Sequence, residues 1–329
     1  MNFFLKFFKL LPPEFAHQLS LSSLNLLYTL KILKLIRIKN IKSTSFIFEG
    51  LKFDNKLGTA AGLDKNGDYI DSLGELGFGF LEVGTVTPIP QKGNKKPRIF
   101  RLNEDNSIIN SLGFNNKGVD YLVKNLKKRK FNGVVGVNVG ANKTSKGRKR
   151  ITDFLVCINK VHPYSDYITI NISSPNTPNL REFHNHDYLK DLINSIENEV
   201  KNNDIKTPLF LKISPDEENE SLDIIIELIN NSIFRGIIAT NTTTDKSNIS
   251  NDKFKNLDGG LSGKPLMLKS TNKLSYIKSK SIDMPLIGVG GVMTRKDYQD
   301  KLNAGASLVQ VYTGFIINGP KLLNEILNE

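Results

Sequence analysis

Eight short apolar runs, separated by helix-length segments, constrain this chain more than any other feature. They span residues 57–61, 80–84, 134–139, 167–172, 209–213, 236–239, 286–289 and 307–311. A strand that is apolar throughout is buried on both faces, as in a parallel sheet covered by helices. Eight such βα units in one chain predict a β/α barrel of the (β/α)8 TIM type. A doubly wound open sheet is the alternative, but the Gly-x-Gly-x-x-Gly turn expected near its start is absent. Residues 92–101 and 245–260 read as insertions, and no repeat or low-complexity linker divides residues 45–329.

At 329 residues, 39% hydrophobic and 24% charged, the chain is globular, with material for one large domain or two ordinary ones. Its single cysteine, Cys157, excludes an internal disulfide and a cysteine-rich metal site. His17, His162, His184 and His186 show no metal-ligand spacing, so no metal is expected.

The net charge of +12 first points to nucleic acid, but its placement argues against that partner. Residues 1–43 carry seven lysines and arginines against Glu14 alone, a balance of +6, in a segment rich in Phe and Leu. A basic, apolar, amphipathic segment predicts binding to an anionic membrane surface. Residues 1–11 form one helix candidate, ended by Pro12 and Pro13. Glu14 to about Leu30 forms a second. Phe15, Leu19, Ser22 or Ser23 and Leu26 share one face, widened by Leu21, Leu24 and Leu27. It falls short of the ~20 apolar residues a bilayer requires. The expectation is an N-terminal amphipathic helical hairpin, residues 1–43, in the membrane interface, followed by a barrel, residues 44–329. A helical pair packed on the protein's own body is the alternative.

A β/α barrel keeps its active site at the carboxyl ends of its strands. Nearly every run here ends in glycine or a polar group: Gly62 to Lys65, Gly84 and Thr85, Asn138, Asn171, Lys212, Thr240 to Thr242, Gly288 to Gly291, and Tyr312 to Gly314. After the fourth run, Pro175 and Pro178 forbid a helix and stiffen a loop that carries Ser173, Ser174, Asn176 and Thr177. Loops after the last two strands commonly bind phosphate through backbone N–H groups, and Gly290, Gly291, Tyr312 and Thr313 fit that use. Gly259 to Gly263 adds a flexible glycine loop. A phosphate-bearing cofactor needs polar groups for the rest of its body, and Thr85, Asn138, Asn171, Lys212 and Thr240 are available. Lys212 ends a buried strand and needs an anionic partner, which the N1/O2 edge of a reduced flavin provides.

These residues resemble one family over nearly the whole chain. The motifs are Ala60-Ala61-Gly62-Leu63-Asp64-Lys65, Glu82-Val83-Gly84-Thr85-Val86-Thr87-Pro88, Asn110-Ser111-Leu112-Gly113-Phe114-Asn115, Asn171 to Pro178, Ala239-Thr240-Asn241-Thr242-Thr243, Gly259 to Pro265 and Gly288 to Gly291. All are similar to dihydroorotate dehydrogenase. The basic N-terminal segment and the serine loop resemble class 2, the membrane-associated, quinone-reducing enzymes. Class 1 enzymes lack the hairpin and use a cysteine base, whereas Cys157 falls in the helix before the fourth run.

The resemblance implies FMN as cofactor, a membrane quinone as co-substrate, and oxidation of dihydroorotate to orotate. It gives Ser174 the role of base on C5, with hydride passing from C6 to flavin N5. A free serine is a poor base, so the site must desolvate it and supply a proton path. Thr177 and Phe114 take the relay positions, and Ser173 matters far less. The implied substrate set is Lys65, Asn110, Ser111, Leu112, Gly113, Phe114, Asn171, Asn176, Asn241 and Thr242. The implied FMN contacts are Ala61, Gly62, Lys65, Thr85, Asn138, Asn171 and Lys212, with Thr240, Gly263, Gly290, Gly291, Tyr312 and Thr313. His17, Arg101 and Tyr312 match the quinone site. One departure is that the family's Gly-Lys-Asn-Lys after the third run reads Gly140-Ala141-Asn142-Lys143 here, so a basic residue near the cofactor is missing. The implied location is peripheral, on the cytoplasmic face of a bacterial inner membrane, with the mitochondrial inner membrane as alternative. Two rival functions remain at this level: a soluble-type FMN dehydrogenase using fumarate or NAD, and a non-redox barrel that binds a phosphorylated ligand.

Overall fold

The computed structural model describes residues 10–36, 45–176 and 186–328. Eight parallel strands close into a barrel. In chain order they are β1 (Leu57–Thr59), β2 (Phe80–Val86), β3 (Val134–Val139), β4 (Tyr167–Asn171), β5 (Leu209–Ile213), β6 (Gly236–Ala239), β7 (Leu286–Val289) and β8 (Leu308–Val311). Each pairs with the next, and β8 returns to β1. Every residue of these strands is buried, as the unbroken apolar runs require. This closed barrel removes the open-sheet alternative. Four runs shift at their ends: β1 stops at Thr59, β2 continues to Val86 through a register shift after Gly84, β4 stops at Asn171 and β8 starts at Leu308.

The amino-terminal end of the barrel is plugged by aromatic rings. A hairpin of Phe46–Phe48 and Leu51–Phe53 folds beneath it. Phe53 stands edge-on to Phe80 at 5.5 Å, and Phe48 stacks on Phe210 at 6.1 Å. Phe80 and Tyr167, the first residues of β2 and β4, and Phe210, the second of β5, fill the barrel floor. Such pairs add about 0.5–1.5 kcal/mol each to the area they bury.

Above the other end lies a sheet whose outer strands overlap only the ends of the two expected insertions, 92–101 and 245–260. Ile99–Leu102, Ser107–Asn110 and Gly260–Gly263 form three antiparallel strands, with Ser107–Asn110 in the middle. The strand at the end of the second insertion therefore pairs with Ser107–Asn110, which lies in neither insertion, across a separation in sequence that local patterns do not reveal.

The helix Pro13–Thr29 leans on the barrel, and a short turn leads to Leu33–Ile36. Ala16 and Leu21 are buried, and Leu24, Leu27 and Tyr28 pack against the core. Phe15, Leu26 and Leu30 stay more than half exposed, at 54%, 59% and 58%. The helix thus joins both expectations: one side packs on the protein's own body and the other keeps an apolar face outward. The helix candidate at residues 1–11 lies almost wholly outside the described residues. No helix among the described residues is long and apolar enough to cross a membrane.

Candidate active site

A cleft with about 960 Å³ of atom-free space, counting its mouth, opens at the carboxyl ends of the strands. Its wall takes in Ala61, Gly62, Lys65 and Thr85 from the loops after β1 and the end of β2. Asn171, Ser174 and Asn176 come from β4 and its loop, Lys212 from β5, and Thr240, Asn241 and Thr242 from the end of β6. Gly263, Gly290, Gly291, Tyr312 and Thr313 close one side, and Asn110, Leu112, Gly113 and Phe114 cover another. Five expected residues stand elsewhere. Asn138 is fully buried one residue behind the wall. Ser111 lies off the wall, where its N–H donates to the Arg98 carbonyl at 2.9 Å. His17 and Arg101 hold the N-terminal segment, and Thr177 lies outside the described residues.

Lys212 needed an anion, and the protein itself supplies one. Glu82, on β2, is fully buried and places Oε1 3.8 Å from Lys212 Nζ. Asn138 Nδ2 donates to Glu82 Oε1 at 2.9 Å. Tyr167 OH, Thr169 Oγ1 and Gln310 Nε2 donate to Oε2 at 3.0, 3.1 and 2.7 Å. A buried carboxylate is tolerable only when so well paired. The flavin edge assumed from sequence is thus not the sole counter-charge. Burial lowers the Lys212 pKa, and Glu82 opposes that shift.

Glu82 also fixes the amides between the barrel interior and the cleft. Asn138 gives its Nδ2 to Glu82, so its Oδ1 faces the wall. It accepts there from Thr85 Oγ1 at 2.5 Å and Asn171 Nδ2 at 3.1 Å. The Asn171 Oδ1 then accepts from Asn241 Nδ2 and Ser173 Oγ, both at 3.3 Å. Ser173 Oγ also accepts from Asn241 Nδ2 at 3.1 Å, so this fully buried hydroxyl braces two amides. Ser174 Oγ faces the cleft and accepts the Asn176 N–H at 3.3 Å. Asn176 Nδ2 reaches Asn110 Oδ1 at 3.3 Å, bringing the loop after β4 to the overlying sheet.

Lys65 lines the cleft and donates to the Gly62 carbonyl at 3.1 Å. Burial, and then the Arg98 guanidinium, pull its pKa down to about 8. Gly62 has φ +102°, a conformation L side chains rarely adopt, and a Cβ there would lie 3.3 Å from the Tyr312 ring. Beside it, the Leu63 carbonyl accepts from His17 Nε2 at 3.0 Å, which leaves Nδ1 as the acceptor nitrogen. Burial and the Lys65 ammonium push His17 down to about 4. His17 and Tyr312 therefore both approach the Gly62–Leu63 segment. Arg101 donates to the Leu11 carbonyl at the start of the N-terminal helix.

Sequence reasoning passed over Gln310, Ser262, Leu266 and Val292, which also line the cleft. Gln310 and Leu266 lie in apolar stretches, where no polar spacing marks them. Ala141, the departure from the family pattern, is buried in the core. The next residue, Asn142, donates to Thr87 Oγ1, the Ile89 carbonyl and Gln91 Oε1 at 2.9–3.0 Å, so its loop is held by amide bonds. Cys157 is sealed in the helix Arg148–Val161, and burial lifts its thiol well above the usual range.

The family model for dihydroorotate dehydrogenase matches residues 44–329. The chain belongs to that family. A dihydroorotate dehydrogenase (quinone) from Buchnera aphidicola is 48% identical over 324 residues, covering 97% of this chain and 96% of the relative. Another from Idiomarina loihiensis is 45% identical and covers 96% of each. A crystal structure of the enzyme from Eimeria tenella in complex with ferulenol superposes with a TM-score of 0.87 at 33% identity, over 96% of this chain and 90% of that one. Among dihydroorotate dehydrogenases, class 2 is the quinone-dependent class, and it is the class these relatives carry in their names.

Proposed function

We propose that this chain oxidises dihydroorotate to orotate and delivers the electrons to a membrane quinone. The observation that carries this reading is the convergence of Ser174, Lys65 and four amides, Asn110, Asn171, Asn176 and Asn241, on one cleft beside a glycine cradle. The quinone acceptor is preferred to fumarate or NAD because the relatives at 48% and 45% identity are quinone enzymes.

FMN suits the residues present. Gln310 Oε1 and Asn176 Oδ1 are buried without a hydrogen-bond partner, and Lys212 Nζ has an ion pair but no hydrogen bond among the described residues. Gly290 and Gly291, at φ +114° and +82°, leave the backbone bare at the end formed by β7 and β8. Gly290, Gly291, Gly263 and Thr313 would hold the phosphate, with Ala61, Gly62, Thr85, Asn171, Lys212, Thr240 and Tyr312 around the rest. Asn138 supports that wall from behind. FMN, when bound, accepts the hydride leaving C6 of dihydroorotate and gives its electrons to the quinone.

The chain's own residues do the remainder. Ser174 Oγ takes the C5 proton, its hydroxyl held at the cleft wall by the Asn176 N–H. Lys65 offsets the substrate carboxylate, and Asn110, Asn171, Asn176 and Asn241 hold the flat ring. Phe114 and Leu112 exclude water, which strengthens every charge interaction inside. The segment 1–43 is the membrane-associating unit and residues 44–329 the catalytic barrel. Phe15, Leu26 and Leu30 seat the helix in an anionic bilayer surface. His17, Arg101 and Tyr312 border the quinone's approach. The protein is peripheral, on the cytoplasmic face of the membrane. The test is anaerobic mixing of purified, yellow protein with dihydroorotate, then with quinone, fumarate or NAD. Bleaching reversed by quinone alone supports the reading, and no bleaching overturns it.

A further inference from the structure

Lys301 is fully buried, although it sits on a helix, Arg295–Asn303, whose other residues keep some contact with solvent. Its ammonium points inward and donates to Ser270 Oγ at 2.5 Å, Thr271 Oγ1 at 2.9 Å and the Met267 carbonyl at 3.5 Å. These acceptors are neutral, and none of the ion pairs among the described residues includes Lys301. An ammonium sealed from water without a counter-ion is costly, and buried lysines are rarely left so.

The place it occupies gives the reason. Ser270 Oγ accepts from the Lys301 ammonium, and its own proton is shared between the Gly290 carbonyl at 3.0 Å and the Met267 carbonyl at 3.1 Å. Gly290 and Gly291 line the cleft at the end where β7 and β8 finish, with Ser262, Thr313 and Gly314. The space behind them is full: a Cβ on Gly291 would fall 2.3 Å from Met267 Cα, and one on Gly290 2.9 Å from Ser270 Oγ. The Gly290 carbonyl is thereby tied to Ser270, and through it to Lys301. Among the described residues, no cationic side chain lines that end. The two cations of the cleft wall, Lys65 and Lys212, belong to the far elements after β1 and on β5.

We propose that Lys301 is the counter-charge for the phosphate end of the cleft, a positioning residue acting through Ser270 and the Gly290 loop without touching the ligand. This rests on reading the cleft as an FMN site. Asp297 and Asp300 offset the burial of Lys301 only in part, and each is engaged elsewhere. Asp297 accepts from the Met293 and Thr294 N–H groups in a helix cap, and Asp300 pairs with Lys296 at 2.8 Å. From the helix Met267–Lys280 only hydroxyls and a carbonyl face it, and β7 presents Gly288. A phosphate dianion would complete the balance and would raise the lysine's proton affinity in return.

The test compares flavins with and without phosphate. Wild-type protein and Lys301→Met, both purified with flavin bound, are diluted in the presence of FMN or riboflavin, and released flavin is read by fluorescence. Loss of the charge should weaken FMN by about tenfold or more while changing riboflavin less than about twofold, a charge effect and not a packing effect. Burial, countered by Asp297 and Asp300, brings Lys301 down to about 7 in the ligand-free protein. The FMN-to-riboflavin preference of wild type should therefore fall as pH rises above about 7, and the Met variant should show no such slope. Lys301→Gln, which keeps hydrogen bonding, serves if the Met variant does not fold. An unchanged preference in a folded variant overturns the proposal. Wild-type protein that holds riboflavin as tightly as FMN would overturn the phosphate reading of the cleft, and this inference with it.

Discussion

Lys212 Nζ lies 3.8 Å from Glu82 Oε1, with the two side chains at 5% and 0% exposure inside the barrel. Removing one member of a buried pair leaves the other unpaired, at a cost of about 3–5 kcal/mol. Glu82→Gln should therefore destabilise the protein by about that amount in denaturant unfolding. Adding Lys212→Met to Glu82→Gln should recover much of the loss. A double variant no more stable than the single one would show that Glu82 matters through Asn138, Tyr167 and Gln310 instead.

Ser174→Ala should slow reduction by dihydroorotate by ~10²–10⁴ while orotate binding stays within a few-fold. Ser173→Ala should do the reverse, because Ser173 Oγ braces Asn171 and Asn241. Stopped-flow reduction and orotate titration separate the two effects. Equal loss of rate in both variants would remove the assignment of Ser174 as the base.

The Lys65 pKa of about 8 sets a pH dependence. An anionic ligand favours the charged form, so orotate should bind with constant affinity below about 8 and more weakly as pH rises above it. Lys65→Ala should bind orotate poorly and lose that slope. Titrations between neutral and alkaline pH decide, and a wild-type affinity that is flat through this range counts against the role.

His17 titrates at about 4 in the folded protein, well below its ordinary value of 6.5. The unfolded chain therefore takes up the proton first, and stability present above 6.5 is lost as pH falls towards 4. Since His17 anchors the N-terminal helix to Leu63, protection factors for hydrogen exchange in residues 13–29 should fall as pH drops over that window. His17→Gln should make those protection factors insensitive to pH there.

Replacing Phe15, Leu26 and Leu30 with serine removes exposed apolar surface without touching the packed side of the helix. Binding to anionic vesicles should fall by about tenfold or more, and reoxidation by long-chain quinone should fall with it, while reduction by dihydroorotate is unchanged. Truncating residues 1–40 is a coarser test. It also removes Glu14, which pairs with the buried Arg98 at 2.6 Å, and so disturbs the overlying sheet.

The barrel was legible because its strands are apolar on both faces and end in glycine or polar residues, a pattern local enough to read by eye. The walls of the cleft were legible for the same reason. Glu82 was not: it interrupts an apolar run by one residue, and its partners Tyr167 and Gln310 lie 85 and 228 positions away. Nor was the overlying sheet, whose middle strand, Ser107–Asn110, pairs with Gly260–Gly263 far along the chain. Lys301 looks in sequence like any lysine on a polar helix, and only the fold turns it inward. Long-range closure, not propensity, decides all three.

The aromatic floor of the barrel has a kinetic consequence. Phe48, Phe53, Phe80, Tyr167 and Phe210 stop the axis from below, so no small molecule reaches the catalytic wall by passing through the barrel. Reactant and product must share the rim on the opposite side. Traffic of dihydroorotate and orotate is thus confined to that one end of the barrel.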